Sequence, residues 1–189
     1  MSESRKQIVE LVRQRGYRYS PEAFTLASGQ MSHDYIDGKL AVARGADLAL
    51  VARAMVEATD EPFDAVGGLT MGADALAHAI AVVSGCEWFS VRKEPKGRGL
   101  NRWIEGARLG SSHRVLLVDD VVSTGGSIIK AHDRVIEEGA TVVAVMTLVD
   151  RGDVARSDFD ARNVTYRALV TYKDLGIAPV GPVLTATSG

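Results

Sequence analysis

Three stretches limit what this chain can fold into. AVGGL (65–69), VLLV (115–118) and VVAVMTLV (142–149) carry no charged side chain, and only Thr147 among them is polar. A strand with one face in water alternates apolar and polar residues, whereas a strand that is apolar throughout must be covered on both faces. Between these runs, GADALAHAIAVVSG (72–85) and GSIIKAHDRVIEEG (126–139) repeat apolar residues every three or four positions, the period of a helix. Strands of this kind alternating with helices predict the α/β class: a central, mainly parallel sheet with helices on both faces.

The rest of the chain fits that plan. ESRKQIVELVRQR (3–15) places Ile8, Leu11 and Val12 at helical spacing, with Gly16 as its stop. RGADLALVARAMVEAT (44–59) is a second amphipathic helix, with Leu48, Val51, Ala52 and Met55 on one face. EWFSVRKE (87–94) reads as a strand running into a polar, glycine-bearing segment that ends near Gly106, and VTYRALVTY (164–172) reads as the last strand. FTLASGQMSHDYIDGKLA (24–41) shows neither period and, taken alone, reads as a loop. Residues 176–189 carry Pro179 and Pro182 and no periodicity, which predicts an extended or mobile tail. With 189 residues, no internal repeat and no linker, the expectation is one domain, 1–189, with a small N-terminal subregion.

Composition narrows function by exclusion. A net charge of −2 gives no global field toward nucleic acid or anionic lipid. The single cysteine, Cys86, excludes an intrachain disulfide and a cysteine-based zinc cluster, and reads as a small packing residue. His33, His113 and His132 have no metal-site spacing. The charged start MSESRKQIVEL lacks the apolar stretch of a signal peptide, and no run approaches the ~20 residues that span a bilayer. A cytoplasmic protein with no membrane and no nucleic-acid partner is expected.

Two stretches carry chemistry. In VLLVDDVVSTGGSIIKA (115–131), Asp119 and Asp120 stand at the carboxyl end of an apolar strand, before a small-residue turn and a helix beginning near Ser127. Ligands of parallel sheets sit outside the carboxyl ends of the strands. Small residues let the backbone turn tightly and aim its N–H groups inward, and a helix N-terminus adds partial positive charge, which together make a phosphate cradle. Carboxylates accept hydrogen bonds from vicinal hydroxyls, so a ribose 5-phosphate matches both halves of the motif. It is not a P-loop, since no Gly-Lys-Ser/Thr follows the glycines, nor a dinucleotide fingerprint, since the acidic pair precedes them. In FSVRKEPKGRGLNRWIEG (89–106), Arg92, Lys93, Lys96, Arg98 and Arg102 fall within eleven positions, with Gly97 and Gly99 among them. A cationic loop of this kind suits a reaction that expels an anionic leaving group and must exclude water.

VLLVDDVVSTGGS resembles the phosphoribosyl diphosphate (PRPP) binding motif of the type I phosphoribosyltransferases. The resemblance implies their fold, with the N-terminal subregion as a hood. It implies PRPP contacts by Asp119, Asp120, Val121, Val122, Ser123, Thr124, Gly125, Gly126 and Ser127. Residues 89–106 resemble the catalytic loop of the orotate phosphoribosyltransferases, Arg-Lys-x-x-Lys-x-His-Gly: Arg92, Lys93, Lys96 and Gly99 match, and Arg98 stands where that family has histidine. Arginine can hold a phosphate but does not shuttle a proton near neutral pH. Residues 24–41 resemble the N-terminal signature of that family. Ser28, Gly29, Ser32 and Tyr35 match it; Ala27 replaces a PRPP-contacting lysine and Ile36 the second aromatic. VGGLTMGADALAHAIA (66–81) resembles the segment supporting the diphosphate, with Asp74 as helix cap and His78 as a packed or surface residue. Arg151 in TLVDRGD matches the arginine that takes the orotate carboxylate, and Ser123 matches a hydroxyl residue placed against orotate.

The resemblance therefore implies Mg²⁺-dependent transfer of phosphoribose from PRPP to orotate, giving orotidine 5′-monophosphate and diphosphate on the route to UMP. Lys96, Arg98, Asp119 and Asp120 would be catalytic; Arg92, Lys93 and Lys96 would add to the PRPP site; Ser123, Arg151 and Tyr35 would hold orotate. Mg²⁺ would be held mainly through PRPP, with no direct protein ligand, and the protein would be a homodimer in which a loop lysine reaches the neighbour's site. Two other readings stay open. One is a phosphoribosyltransferase for another base, which would leave Arg151 without a carboxylate. The other is a non-catalytic sensor of PRPP or nucleotide on the same fold, motivated by Ala27 and Arg98. Trp88 is expected in the core, and Trp103 beside the loop as a reporter of its closure.

Overall fold

The computed structural model describes residues 3–26, 29–95 and 102–181. Helix α1 (Glu3–Leu11) runs into a single π-helical turn, Val12–Gly16, and buries Ile8, Val9 and Val12. Gly16 is the last residue of that turn, and a Cβ there would lie 2.9 Å from the Asp37 carbonyl oxygen. Strands β1 (Tyr17–Thr25) and β2 (Met31–Ile36) then pair antiparallel as a two-stranded sheet of their own. This corrects the expectation of a loop over 24–41. In β2 the alternation is inverted, with Met31, His33 and Tyr35 exposed and Ser32 and Asp34 half-buried, so a search for apolar periodicity passes over it. Cross-strand rings hold the ribbon: Tyr19 stacks on His33 at 5.6 Å, and Phe24 meets Tyr35 edge-on at 5.8 Å. The one-turn helix α2 (Gly38–Ala41) follows at once, capped by the Asp37 carboxylate, which accepts from Leu40 N–H at 3.0 Å.

After helix α3 (Gly45–Glu57) the main layer begins. It comprises β3 (Ala65–Leu69), α4 (Asp74–Ser84), β4 (Glu87–Val91), β5 (Ile104–Gly106), β6 (Arg114–Val122), α5 (Gly126–Glu137), β7 (Thr141–Asp150), α6 (Val154–Ala161), β8 (Thr165–Thr171) and α7 (Tyr172–Leu175). The strand order is β5-β4-β3-β6-β7-β8, parallel throughout except for the short β5, which runs antiparallel to β4. Alternate residues of β6 serve opposite cores. Leu116 and Val118 pack with Ile8, Met55 and Ile80 from α1, α3 and α4, whereas Val115 and Leu117 pack with Ile128, Val135 and Phe159 from α5 and α6. Two buried faces explain why the run VLLV could not alternate.

Helices α6 and α7 were not expected from the sequence. Only Ala155 and Phe159 of α6 are buried, and α7 is one turn held by a capping box between Thr171 and Asp174. Trp88 is not a core residue: it is 42% exposed at the start of β4, with the exposed His78 ring edge-on at 4.5 Å. The tail as far as Gly181 is irregular but docked. Val180 is buried and its N–H donates to the Arg151 carbonyl at 2.6 Å, while Gly181 N–H donates to Gln30 Oε1 at 3.1 Å. Residues 182–189 lie outside the described residues.

Candidate active site

From β3 the chain steps outward to β4, then crosses back to β6 on the other side of β3. That reversal is a topological switch point, and it opens a crevice at the carboxyl ends of the strands. β3 and β6 pair only as far as Gly67–Leu117, while β6 continues to Val122. Asp119 and Asp120 lie in this extension, inside the strand, each 6% exposed. Each carboxylate folds back on the chain: Asp119 Oδ1 accepts from Asp120 N–H at 3.0 Å and Asp120 Oδ1 from Val121 N–H at 2.9 Å. The β3–α4 turn lies directly over both. A Cβ on Gly72 would sit 2.5 Å from Asp119 Oδ1 and 2.6 Å from Asp120 Oδ1. Burial, then the charge of Asp120, push the Asp119 carboxyl up to about 8.

The cradle follows the acidic pair without a break. Ser123, Thr124 and Gly125 form the turn, Gly125 takes φ +84°, and α5 starts at Gly126. No acidic residue occupies the first turn of α5, so its partial positive charge is not neutralised from within. A cavity of about 300 Å³ opens here, lined by Asp119, the 121–127 turn and Lys130. Lys130 was not anticipated. It lies one helical turn beyond Gly126, where a lysine in a helix usually faces only water.

Arg151 stands just past β7, where its N–H donates to the Val122 carbonyl at 2.8 Å. It is 2% exposed, and the hood covers it: Nη1 donates to the Asp34 carbonyl at 2.8 Å and Nη2 to Ser32 Oγ at 3.4 Å. Its Nε is buried with no hydrogen-bond partner among the described residues. Burial pulls its pKa down, against the nearby Asp34 and Tyr17. Tyr35 belongs to the alternate, exposed side of β2, beside Phe24, so the strand does not bring it onto the guanidinium. Ser123, by contrast, is brought beside the Arg151–Gly152 backbone by the pairing of β6 and β7, its carbonyl 3.4 Å from where a Cβ on Gly152 would be.

On the β4 side, Arg92 is held by its neighbours. Its N–H donates to the Trp103 carbonyl at 2.8 Å and its guanidinium pairs with Glu105 at 3.3 Å; Lys93 beside it is exposed. Trp103 is capped by the Arg134 guanidinium 3.8 Å above its ring. Lys96, Arg98 and Gly99, with Ala27 and Ser28, lie outside the described residues. Asp74 is the first residue of α4, not its cap, which is Ala73. Its carboxylate instead accepts from Thr70 Oγ1 at 2.6 Å and Ser90 Oγ at 2.7 Å, tying the turn over the acidic pair to β4. Lys39, also unanticipated, reaches from α2 to Asp120 Oδ2 at 3.0 Å.

The chain as a whole is similar to known proteins. The phosphoribosyl transferase domain model matches residues 43–169. A curated orotate phosphoribosyltransferase of Mycobacterium leprae is 39% identical over 176 residues, 92% of this chain and 97% of that one. The crystal structure of a phosphoribosyltransferase from Corynebacterium diphtheriae superposes with a TM-score of 0.81 at 32% identity, covering 93% of this chain and 100% of the other. The Mycobacterium tuberculosis orotate phosphoribosyltransferase in complex with PRPP gives a TM-score of 0.77 at 36% identity, covering 92% and 99%. By sequence and by fold alike, the chain belongs to the phosphoribosyl transferase family, among the orotate phosphoribosyltransferases.

Proposed function

We propose that this protein transfers the phosphoribosyl group of PRPP to N1 of orotate, releasing diphosphate and orotidine 5′-monophosphate for UMP synthesis. The observation that carries the reading is Arg151: a buried guanidinium with an unpaired Nε, next to a cradle and an acidic pair suited to a ribose phosphate. A planar donor fork held out of water is matched by a carboxylate, which orotate has and the purine bases and uracil lack. The 123–127 amides and Lys130 would hold the 5-phosphate, and Asp119 and Asp120 the ribose hydroxyls. The bond from the anomeric carbon to diphosphate breaks with its electron pair leaving on oxygen, and orotate N1 attacks the carbon as its proton is lost. The acidic pair supports the positive charge that develops on the ring. Lys96 and Arg98, with Arg92 and Lys93, would take the charge of the departing diphosphate.

Mg²⁺ fits this site as a cation carried in by the substrate. Diphosphate oxygens would supply most of its donors. When bound it would neutralise the leaving group. The reaction would run in the cytoplasm, consistent with a free Cys86 thiol and with the absence, among the described residues, of any helix long and apolar enough to cross a membrane. The functional unit is proposed to be a homodimer. The outer face of α4 presents Ala75, His78 and Val82, flanked by Met71 and Trp88, and Val82 is 84% exposed. Asp74, the sole Asp, Glu, Lys or Arg of α4, is engaged with Thr70 and Ser90, so His78 is the only ionisable group on this face.

The test is the fall in orotate absorbance on adding PRPP and Mg²⁺, with uracil and the purine bases run in parallel. Consumption of orotate alone is expected. Turnover of another base, or PRPP binding without turnover of any base, would overturn the assignment.

A further inference from the structure

Lys39 lies outside the acidic pair, the cradle and the loop, yet among the described residues it is the cation in contact with Asp120. Its backbone is fixed with unusual closeness. Gly38 packs so tightly on β6 that a Cβ there would lie 2.9 Å from both Asp120 Cβ and Val121 Cγ2. Asp37 caps α2 and donates its own N–H to the Gly16 carbonyl at 2.8 Å, and Ala41 is fully buried. The helix is therefore anchored without the lysine, whose side chain stays 54% exposed while the Asp120 side chain is 9% exposed. A residue that is not needed to hold its own helix, but whose ammonium rests on a buried carboxylate of the site, has its role in the site.

We propose, on the basis of the orotate transferase reading, that Lys39 is a positioning residue for PRPP. It sets the charge of the acidic pair so that Asp119 and Asp120 accept, and do not repel, a sugar carrying three phosphate groups. The geometry leaves room for both partners. Asp120 Oδ1 takes Val121 N–H and Oδ2 takes Lys39, while a carboxylate has about four acceptor positions. The lysine therefore does not exhaust the acceptor capacity of Asp120 for a ribose hydroxyl. Without it, the pair faces the incoming polyanion uncompensated, and like charges brought together weaken binding.

The experiment compares wild type, Lys39→Met and Lys39→Arg by calorimetric binding of PRPP with Mg²⁺, by steady-state kinetics and by thermal melting. Lys39→Met is expected to raise the Kd and KM for PRPP about tenfold and leave the KM for orotate and kcat within about twofold, with a modestly lowered melting temperature because a buried carboxylate loses its partner; Lys39→Arg should recover most of the affinity. An unchanged PRPP Kd in Lys39→Met would overturn the proposal. So would equal losses for both substrates with a lowered melting temperature, or an unfolded variant, which would make Lys39 a structural anchor. Wild type that binds PRPP but leaves orotate untouched would sink the catalytic reading alone, since the Kd comparison still judges Lys39.

Discussion

Asp119 is the residue at which stability and function conflict most directly. It is buried beside a second carboxylate, and Lys39 only partly offsets that pairing, so it holds its proton up to about pH 8. In the unfolded chain it would release that proton near its ordinary value of 3.8. Between those values the folded state binds more protons than the unfolded one, so stability falls as pH rises. Asp119→Asn removes this fall. The variant is expected to melt above wild type at about pH 8, with the gap closing toward about pH 5, while losing PRPP binding; thermal melts across that range with a parallel binding titration check both. A melting difference that did not change with pH would show that Asp119 is not the titrating group.

At the scale of elements, the β3–α4 turn is what lets two carboxylates share one crevice, because it passes over them as bare backbone at Gly72. Gly72→Ala places a methyl well inside contact distance of two oxygens already held by their own amides. Its expected cost is ~1–3 kcal/mol of stability, with at least a tenfold rise in the KM for PRPP. Gly45→Ala, at the open start of α3, serves as the control and should change neither. The acidic pair and cradle could be read from the sequence because strand, turn and helix follow one another along the chain. Arg151 could be placed because a parallel sheet sends its strand ends to one crevice. The Lys39–Asp120 contact could not, since its partners are 81 residues apart and the only local sign is a capped Asp-Gly-Lys turn. The hood was expected, but its β1–β2 pairing was missed, because the half-buried residues of β2, Ser32 and Asp34, are polar: Arg151 meets the Ser32 hydroxyl and the Asp34 main-chain carbonyl there, and no apolar core.

For the whole molecule, the misplaced Trp88 is informative. A tryptophan was expected inside, and it lies beside an α4 face that a partner would cover. Sedimentation or light scattering should find wild type at twice the 20.2 kDa chain mass and Val82→Glu at one. Wild type running as a single chain would remove the homodimer from the proposal. The docked segment beyond α7 has a consequence of another kind. Every strand of the main sheet and both carboxylates precede Tyr172, yet the Arg151 carbonyl accepts from Val180 and the Gln30 side chain from Gly181, both beyond α7. The sugar-phosphate half of the crevice is thus built without that segment. The half around Arg151 is latched by a stretch of chain with no secondary structure of its own.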